Sequence, residues 1–352
     1  MKNQISNFLL FFVTIFLTFV CIEIALRVFA PIYHTGYIGV YQYDDEIGAV
    51  LKPNLHFFHT NDYQQEIRTN RLATVNFQEN FQHYDYLIFA LGDSYTQGTG
   101  LPSDASYPFQ LDMLLNLHEK YSSEYGIVNL GLAAFGGKQA ILSLMRYKDR
   151  LGKPDFILYL GASNDYMDDL KFTQGYKHRN LVDGSPYWGI LLRPLRWLRN
   201  DLEIGKRLFF IVDKSRLARI KKKASLEKNT PKTQTSTISI AEKQQQIFSK
   251  LLKLSKEMDA VLIVSWANPS TDYASYAYLK KWAARNDLLF ADWYPLVNSV
   301  KKSVPDLPLK NSHSGGHHRT WINHIIARSF ADLILENKAD TNTSTANEAG
   351  NL

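Results

Sequence analysis

Five short apolar runs separated by helix-compatible stretches constrain this chain more than any other feature. The first, Asp85 to Leu91, is mostly apolar and ends at Gly92, as a strand buried on both faces of a parallel sheet would. Similar runs follow at 126–130, 156–160, 260–266 and 288–293, with helices expected near 107–120, 138–147, 241–258, 274–285 and 320–336. Strands that alternate with helices build a parallel sheet covered on both faces, because right-handed crossovers return each strand alongside the last. All strand C-termini then meet at one edge, where ligands of such sheets bind.

Composition supports a packed fold. The 352 residues are 45% hydrophobic and 21% charged, enough for one large domain or two small ones, and this excludes disorder and collagen. Cys21 is the only cysteine, so no intramolecular disulfide contributes. The net charge of +6 raises the question of nucleic acid, and its distribution answers it. Residues 193–232 hold thirteen Lys and Arg against four Asp and Glu, which leaves the remainder slightly acidic. A local basic segment reads either as a solvated face or as contact with an anionic surface, and no nucleic-acid partner is expected.

Phe8 to Ile22 is uncharged for fifteen residues, about 22 Å of helix, which falls short of a hydrocarbon core of roughly 30 Å. Continuing through Ala30 spans a bilayer and takes in Glu23 and Arg27, which lie four apart and can pair at the interface. Residues 8–30 therefore read as a bilayer anchor. A cleaved signal is the alternative, and Pro31 directly after Ala30 counts against it. A weak charge bias places the N-terminus inside and the bulk of the chain outside. Residues 31–84 read as a connector with short strands and 85–336 as the main α/β domain, interrupted by a basic insert at about 170–240. The polar stretch 337–352 reads as a disordered tail.

Chemistry-bearing residues gather at the expected strand ends. Gly92-Asp-Ser-Tyr-Thr-Gln-Gly98 follows the first strand, Val128-Asn-Leu-Gly131 ends the second, and Gly161-Ala-Ser-Asn-Asp165 ends the third. His313-Ser-Gly-Gly-His317-His318 precedes the last helix. A hydroxyl, an imidazole and amide donors at one edge are what acyl transfer needs. Asp165 reads equally as a substrate contact or as a turn-bonding aspartate. A metal reading of His313 and His317 fails on Gly315 and Gly316 between them and on the lack of a completing ligand, so neither metal nor cofactor is expected.

These four blocks resemble those of the SGNH/GDSL hydrolase superfamily. An N-terminal span ending in Glu-x-x-x-Arg, with GAVLKPN and IRTN segments before the serine, is similar to its membrane-anchored bacterial branch. The resemblance implies a flavodoxin-like three-layer α/β/α fold of about five parallel strands behind one transmembrane helix. It implies Ser94 as nucleophile, with the amides of Ser94 and Gly131 and the side chain of Asn164 as oxyanion hole. His317 is picked out as base by its spacing to Ile322. The family's aspartate ahead of the histidine is missing, since Ser314 and Gly315 stand there. The implied activity is that of a serine esterase or O-acyltransferase. Its expected substrate is an acylated cell-envelope glycan or another ester, met outside the cytoplasm on the inner membrane. The missing aspartate motivates an alternative, a non-catalytic glycan-binding or polysaccharide-assembly protein.

Overall fold

The structure is a computed structural model that describes residues 2–30, 40–60, 64–117, 123–175, 197–198, 202–205, 207–208, 211, 238–311 and 316–349. Most of the basic stretch 193–232 therefore lies outside the described residues. The chain divides into two compact units. One comprises Met1–Gly39, Phe58–Asn61 and Asn180–Thr235; the other comprises Val40–Phe57, Asp62–Arg179 and Ser236–Leu352.

In the first unit, residues Lys2–Phe29 form one helix. Its Ser6–Phe29 portion, 24 residues with a mean hydropathy of 2.6, is long and apolar enough to cross a membrane.

The second unit opens with short strands β1 (Tyr41–Asp44) and β2 (Gly48–Leu51), an antiparallel pair. The Arg146 guanidinium clasps Asp44 through two hydrogen bonds of 2.7 and 2.9 Å and ties this hairpin to the helix Gly137–Leu151. In sequence, strand β3 (His56–Thr60), most of which belongs to the first unit, and strand β4 (Gln64–Arg68) of the second unit follow.

The central sheet comprises β5 (Tyr86–Gly92), β6 (Tyr125–Asn129), β7 (Phe156–Gly161), β8 (Val261–Trp266) and β9 (Leu289–Phe290). All neighbouring pairs are parallel, in the order β6-β5-β7-β8-β9. Numbered from β5, that is the 2-1-3-4-5 order of flavodoxin-like sheets, as expected. The sheet has helices on both faces because alternate strand residues point to opposite sides, and both sets are apolar. Phe89, Leu91, Ile157, Tyr159 and Val264 pack on the helices Gly137–Leu151, Gln245–Met258 and Tyr273–Arg285. Ile88, Ala90, Leu158, Leu160 and Ile263 pack on Tyr107–Asn116 and the last helix.

The connector also protects the open edge of β6. Asn76 takes a hydrogen bond from Asn129 N at 2.9 Å and gives one to Ile127 O at 2.7 Å, imitating a further strand.

Four elements depart from expectation. The helices Asp165–Thr173 and Tyr294–Ser303 were not anticipated, and β9 shrinks to two residues. The last helix, Thr320–Ala349, continues through residues read from composition as a disordered tail. Extension costs little once the packed turns around Phe330 and Ile334 have nucleated the helix.

Candidate active site

At the C-terminal end of β5 the chain must turn without a side chain. Gly92 has φ +153°, and a Cβ there would collide with the Thr96 hydroxyl and the Leu160 carbonyl. Asp93 then caps the short helix Ser94–Gln97, its carboxylate accepting from Tyr95 N at 2.9 Å. Ser94 is thereby presented on the first turn, half-buried at the sheet edge.

His317 arrives from the far end of the sequence. The loop before the last helix is strapped down by Asn311, which donates its side-chain amide to Thr99 O at 3.0 Å and its backbone N–H to His317 O at 2.9 Å. This brings His317 Nε2 to 2.6 Å from Ser94 Oγ. Burial, reinforced by Lys310 nearby, pulls the His317 imidazole down to about 4, so it is neutral at physiological pH. In the tautomer that carries its hydrogen on Nδ1, a neutral ring facing a hydroxyl through Nε2 can accept the serine proton there. Positions 314 and 315, where the family aspartate would stand, lie outside the described residues, as does His313.

The neighbouring His318 has a different place. Its Nε2 bonds the Ala267 carbonyl, and its ring packs between Tyr95 (4.9 Å between centroids) and Trp293 (5.3 Å). Tyr95 also covers His317, at 4.7 Å. His318 thus anchors the loop to the end of β8, while His317 reaches the serine.

Gly131 and Asn164 stand at the ends of β6 and β7, and both donors are engaged within the chain. Gly131 N donates to Asn129 Oδ1 at 3.0 Å. Asn164 Nδ2 donates to Asp168 Oδ2 at 3.0 Å and also bonds Asp93. Gly131 permits a close approach, since a Cβ there would run into the Thr96–Gln97 backbone.

The sequence left the role of Asp165 open between substrate and turn, and the structure places it in the turn. Its side chain is buried, with Oδ2 accepting from Tyr159 Oη at 2.9 Å and from Ala162 N at 3.0 Å. At 1% exposure its carboxylate is engaged in the turn that follows β7. Burial raises its carboxyl well above the usual range, and Asp93 beside it adds to that effect.

No family model matches the chain, and no curated protein matches it. Among solved structures it is similar to an acetylxylan esterase from Geobacillus stearothermophilus, at 14% identity over 71% of this chain and 94% of that one, with a TM-score of 0.39. An alpha/beta hydrolase from the metagenome of Lake Arreo is similar at 13% identity, 70% and 94% coverage and TM-score 0.41. A member of the lipolytic protein G-D-S-L family from Veillonella parvula is similar at 11% identity, 69% and 94% coverage and TM-score 0.38. The chemistry below rests on this chain's own side chains.

Three residues of the site escaped sequence reasoning. Asp93 is buried directly beneath Ser94, 3.4 Å from its Oγ, and burial pushes its carboxyl up to about 6. Asp168 holds Asn164 and in turn takes Lys171 Nζ at 2.9 Å. Asn129 links Gly131 to the serine turn by donating to Thr96 O at 3.1 Å. Their signals were present as the residue adjoining the serine, the i+4 position after Asn164 and the Asn-x-Gly spacing. Among the described residues no cluster of three His, Cys, Asp or Glu is placed to hold a metal ion.

Proposed function

We propose that the protein is a membrane-anchored serine esterase or O-acyltransferase working through a Ser94 acyl-enzyme. The observation that carries this reading is the 2.6 Å contact between Ser94 Oγ and the neutral His317 Nε2 at the C-terminal edge of the sheet. His317 takes the serine proton as Oγ attacks an ester carbonyl, and the resulting imidazolium returns that proton to the departing alcohol. The carbonyl oxygen, now anionic, is received by the amides of Ser94 and Gly131 and by Asn164 Nδ2. To do so Gly131 exchanges its bond to Asn129, and Asn164 exchanges one of its bonds to a carboxylate, for the oxyanion. Water then releases the acid, or a sugar hydroxyl carries the acyl group away. The apolar helix Ser6–Phe29 supports an anchored, outward-facing domain at the inner membrane, for which acylated envelope glycans are the proposed substrates. Residues 193–232 are the proposed contact with an anionic surface.

A fluorophosphonate probe tests the nucleophile. Folded protein is labelled and Ser94→Ala is not; equal behaviour of the two excludes Ser94. The internally engaged Gly131 and Asn164 donors favour a second reading, a glycan-binding protein without turnover. Ester hydrolysis that depends on both Ser94 and His317 excludes it.

A further inference from the structure

The first unit holds a buried carboxylate in an unusual place. Glu23 lies within the apolar helix Ser6–Phe29 and is only 7% exposed, although its neighbours Ile22 and Ile24 are open at 47% and 56%. It is covered by the segment 202–207 of the basic insert. Its two oxygens accept the backbone N–H groups of Glu203 at 2.8 Å and Ile204 at 3.1 Å, and Arg27 Nε donates to it at 2.8 Å. Those two amides open a run whose described residues between 203 and 211 are helical, so Glu23 caps one helix from another. Arg207 completes the circuit: it pairs with Glu203 at 2.9 Å and donates to the carbonyl of Ala30, just beyond the end of the apolar helix. Gly205 packs so closely that a Cβ would collide with the Leu198 carbonyl.

The capped segment presents apolar side chains outward. Leu208 and Ile211 are 55% and 65% exposed, and Ile204, Leu208 and Ile211 fall on one helical face by their spacing. Trp197, 56% exposed, belongs to the same stretch. In sequence, the stretch 193–232 that contains them carries thirteen basic residues against four acidic ones.

We infer that the described residues Trp197, Leu208 and Ile211 lie in the plane of a membrane interface. In this arrangement Trp197, Leu208 and Ile211 enter the headgroup–acyl boundary of an anionic bilayer, and Glu23 staples the segment to the anchor helix. Continuity with the apolar helix selects the bilayer as occupant: the staple holds this face where that helix leaves the hydrocarbon. A bulky apolar face flanked by Lys and Arg is the composition such segments need. Glu23 gains as well, because a carboxylate inside an apolar span is costly unless paired. The inference rests on the reading of Ser6–Phe29 as a membrane span.

The test uses the full chain, carrying Cys21→Ser, in nanodiscs of phosphatidylcholine and phosphatidylglycerol. An environment-sensitive fluorophore is attached in turn at Leu208→Cys, Ile211→Cys, Phe16→Cys and Lys250→Cys. Expected are blue-shifted emission and quenching by doxyl lipids at 208, 211 and 16, with watery emission at 250. Watery emission at 208 and 211 while 16 is quenched overturns the in-plane segment and leaves the span standing; watery emission at 16 overturns both. Adding Glu23→Leu, which keeps the span apolar, is expected to reduce quenching at 208 by about twofold or more, since one staple holds the face at the interface. Unchanged quenching at 208 overturns the staple.

Discussion

His317 must be uncharged to accept a proton from Ser94, and its surroundings secure that. Burial and Lys310 hold it at about 4, whereas an exposed histidine titrates near 6.5. The base form therefore persists into acid solution, and kcat/KM for ester hydrolysis should fall only as pH drops toward about 4. A limb near 6.5 in the pH–rate profile would show an imidazole exposed to solvent. His317→Ala should lower kcat/KM by on the order of 10⁶, as loss of a serine hydrolase's histidine base does. At this scale Ser94 and His317 were legible because nucleophile and base need particular side chains at particular edges. Asn129, Asp93 and Asp168 were not. Their roles come from which donor each carboxyl or amide faces across the fold, and that depends on packing between β5, β6 and the helix after β7.

Gly131 and Gly152 separate two reasons for a glycine at an element's end. At Gly131 the obstacle is space: a Cβ would meet the Thr96–Gln97 backbone, which cannot yield without moving the serine turn. At Gly152 it is conformation, φ +97° with open space around it. Gly131→Ala should cost more than about 3 kcal/mol and reduce fluorophosphonate labelling, because the clash moves Ser94. Gly152→Ala should cost about 1 kcal/mol and leave labelling intact. Urea unfolding of each variant beside the labelling assay reads both effects. The strands were legible as elements because burial on both faces leaves long apolar runs. The helix Asp165–Thr173 was hidden by its three aspartates, which look like solvent-facing turn residues. The fold buries Asp165, Asp168 and Asp169 instead, giving Asp169 the backbone N–H of Lys138 at 2.8 Å.

Across the whole molecule, buried titratable groups pull stability in opposite directions. Burial pushes Asp93, Asp112 and Asp169 up to about 6, and Asp165 higher still. The native state keeps these protons after the unfolded chain has lost them, so each group withdraws stability as pH rises from about 4. His317 and His318, both held at about 4 chiefly by burial, work the other way and withdraw stability as pH falls below 6.5. Four carboxyls outweigh two imidazoles, so the urea midpoint of the sheet-bearing unit should be higher at pH 4.5 than at pH 6. Asp112→Asn, remote from the serine, should flatten that slope; a midpoint rising with pH would refute the balance. The parallel sheet and both helical layers were legible at this scale because the alternation of elements dictates them, whereas the flavodoxin-like strand order came with the family resemblance. The grouping of the basic insert with the N-terminal helix was not, since it depends on one carboxylate, Glu23, finding two distant amides.

Ser94 and His317 are separated by 223 positions. A ribosome therefore finishes nearly the entire catalytic half of the protein before the imidazole is synthesised. Until the loop at 316–319 settles and Asn323 Oδ1 accepts the Tyr107 amide at 3.1 Å, Ser94 Oγ faces Asp93 at 3.4 Å and lacks its imidazole. Under the proposed function, the pair that would transfer an acyl group is assembled only with the docking of the last helix.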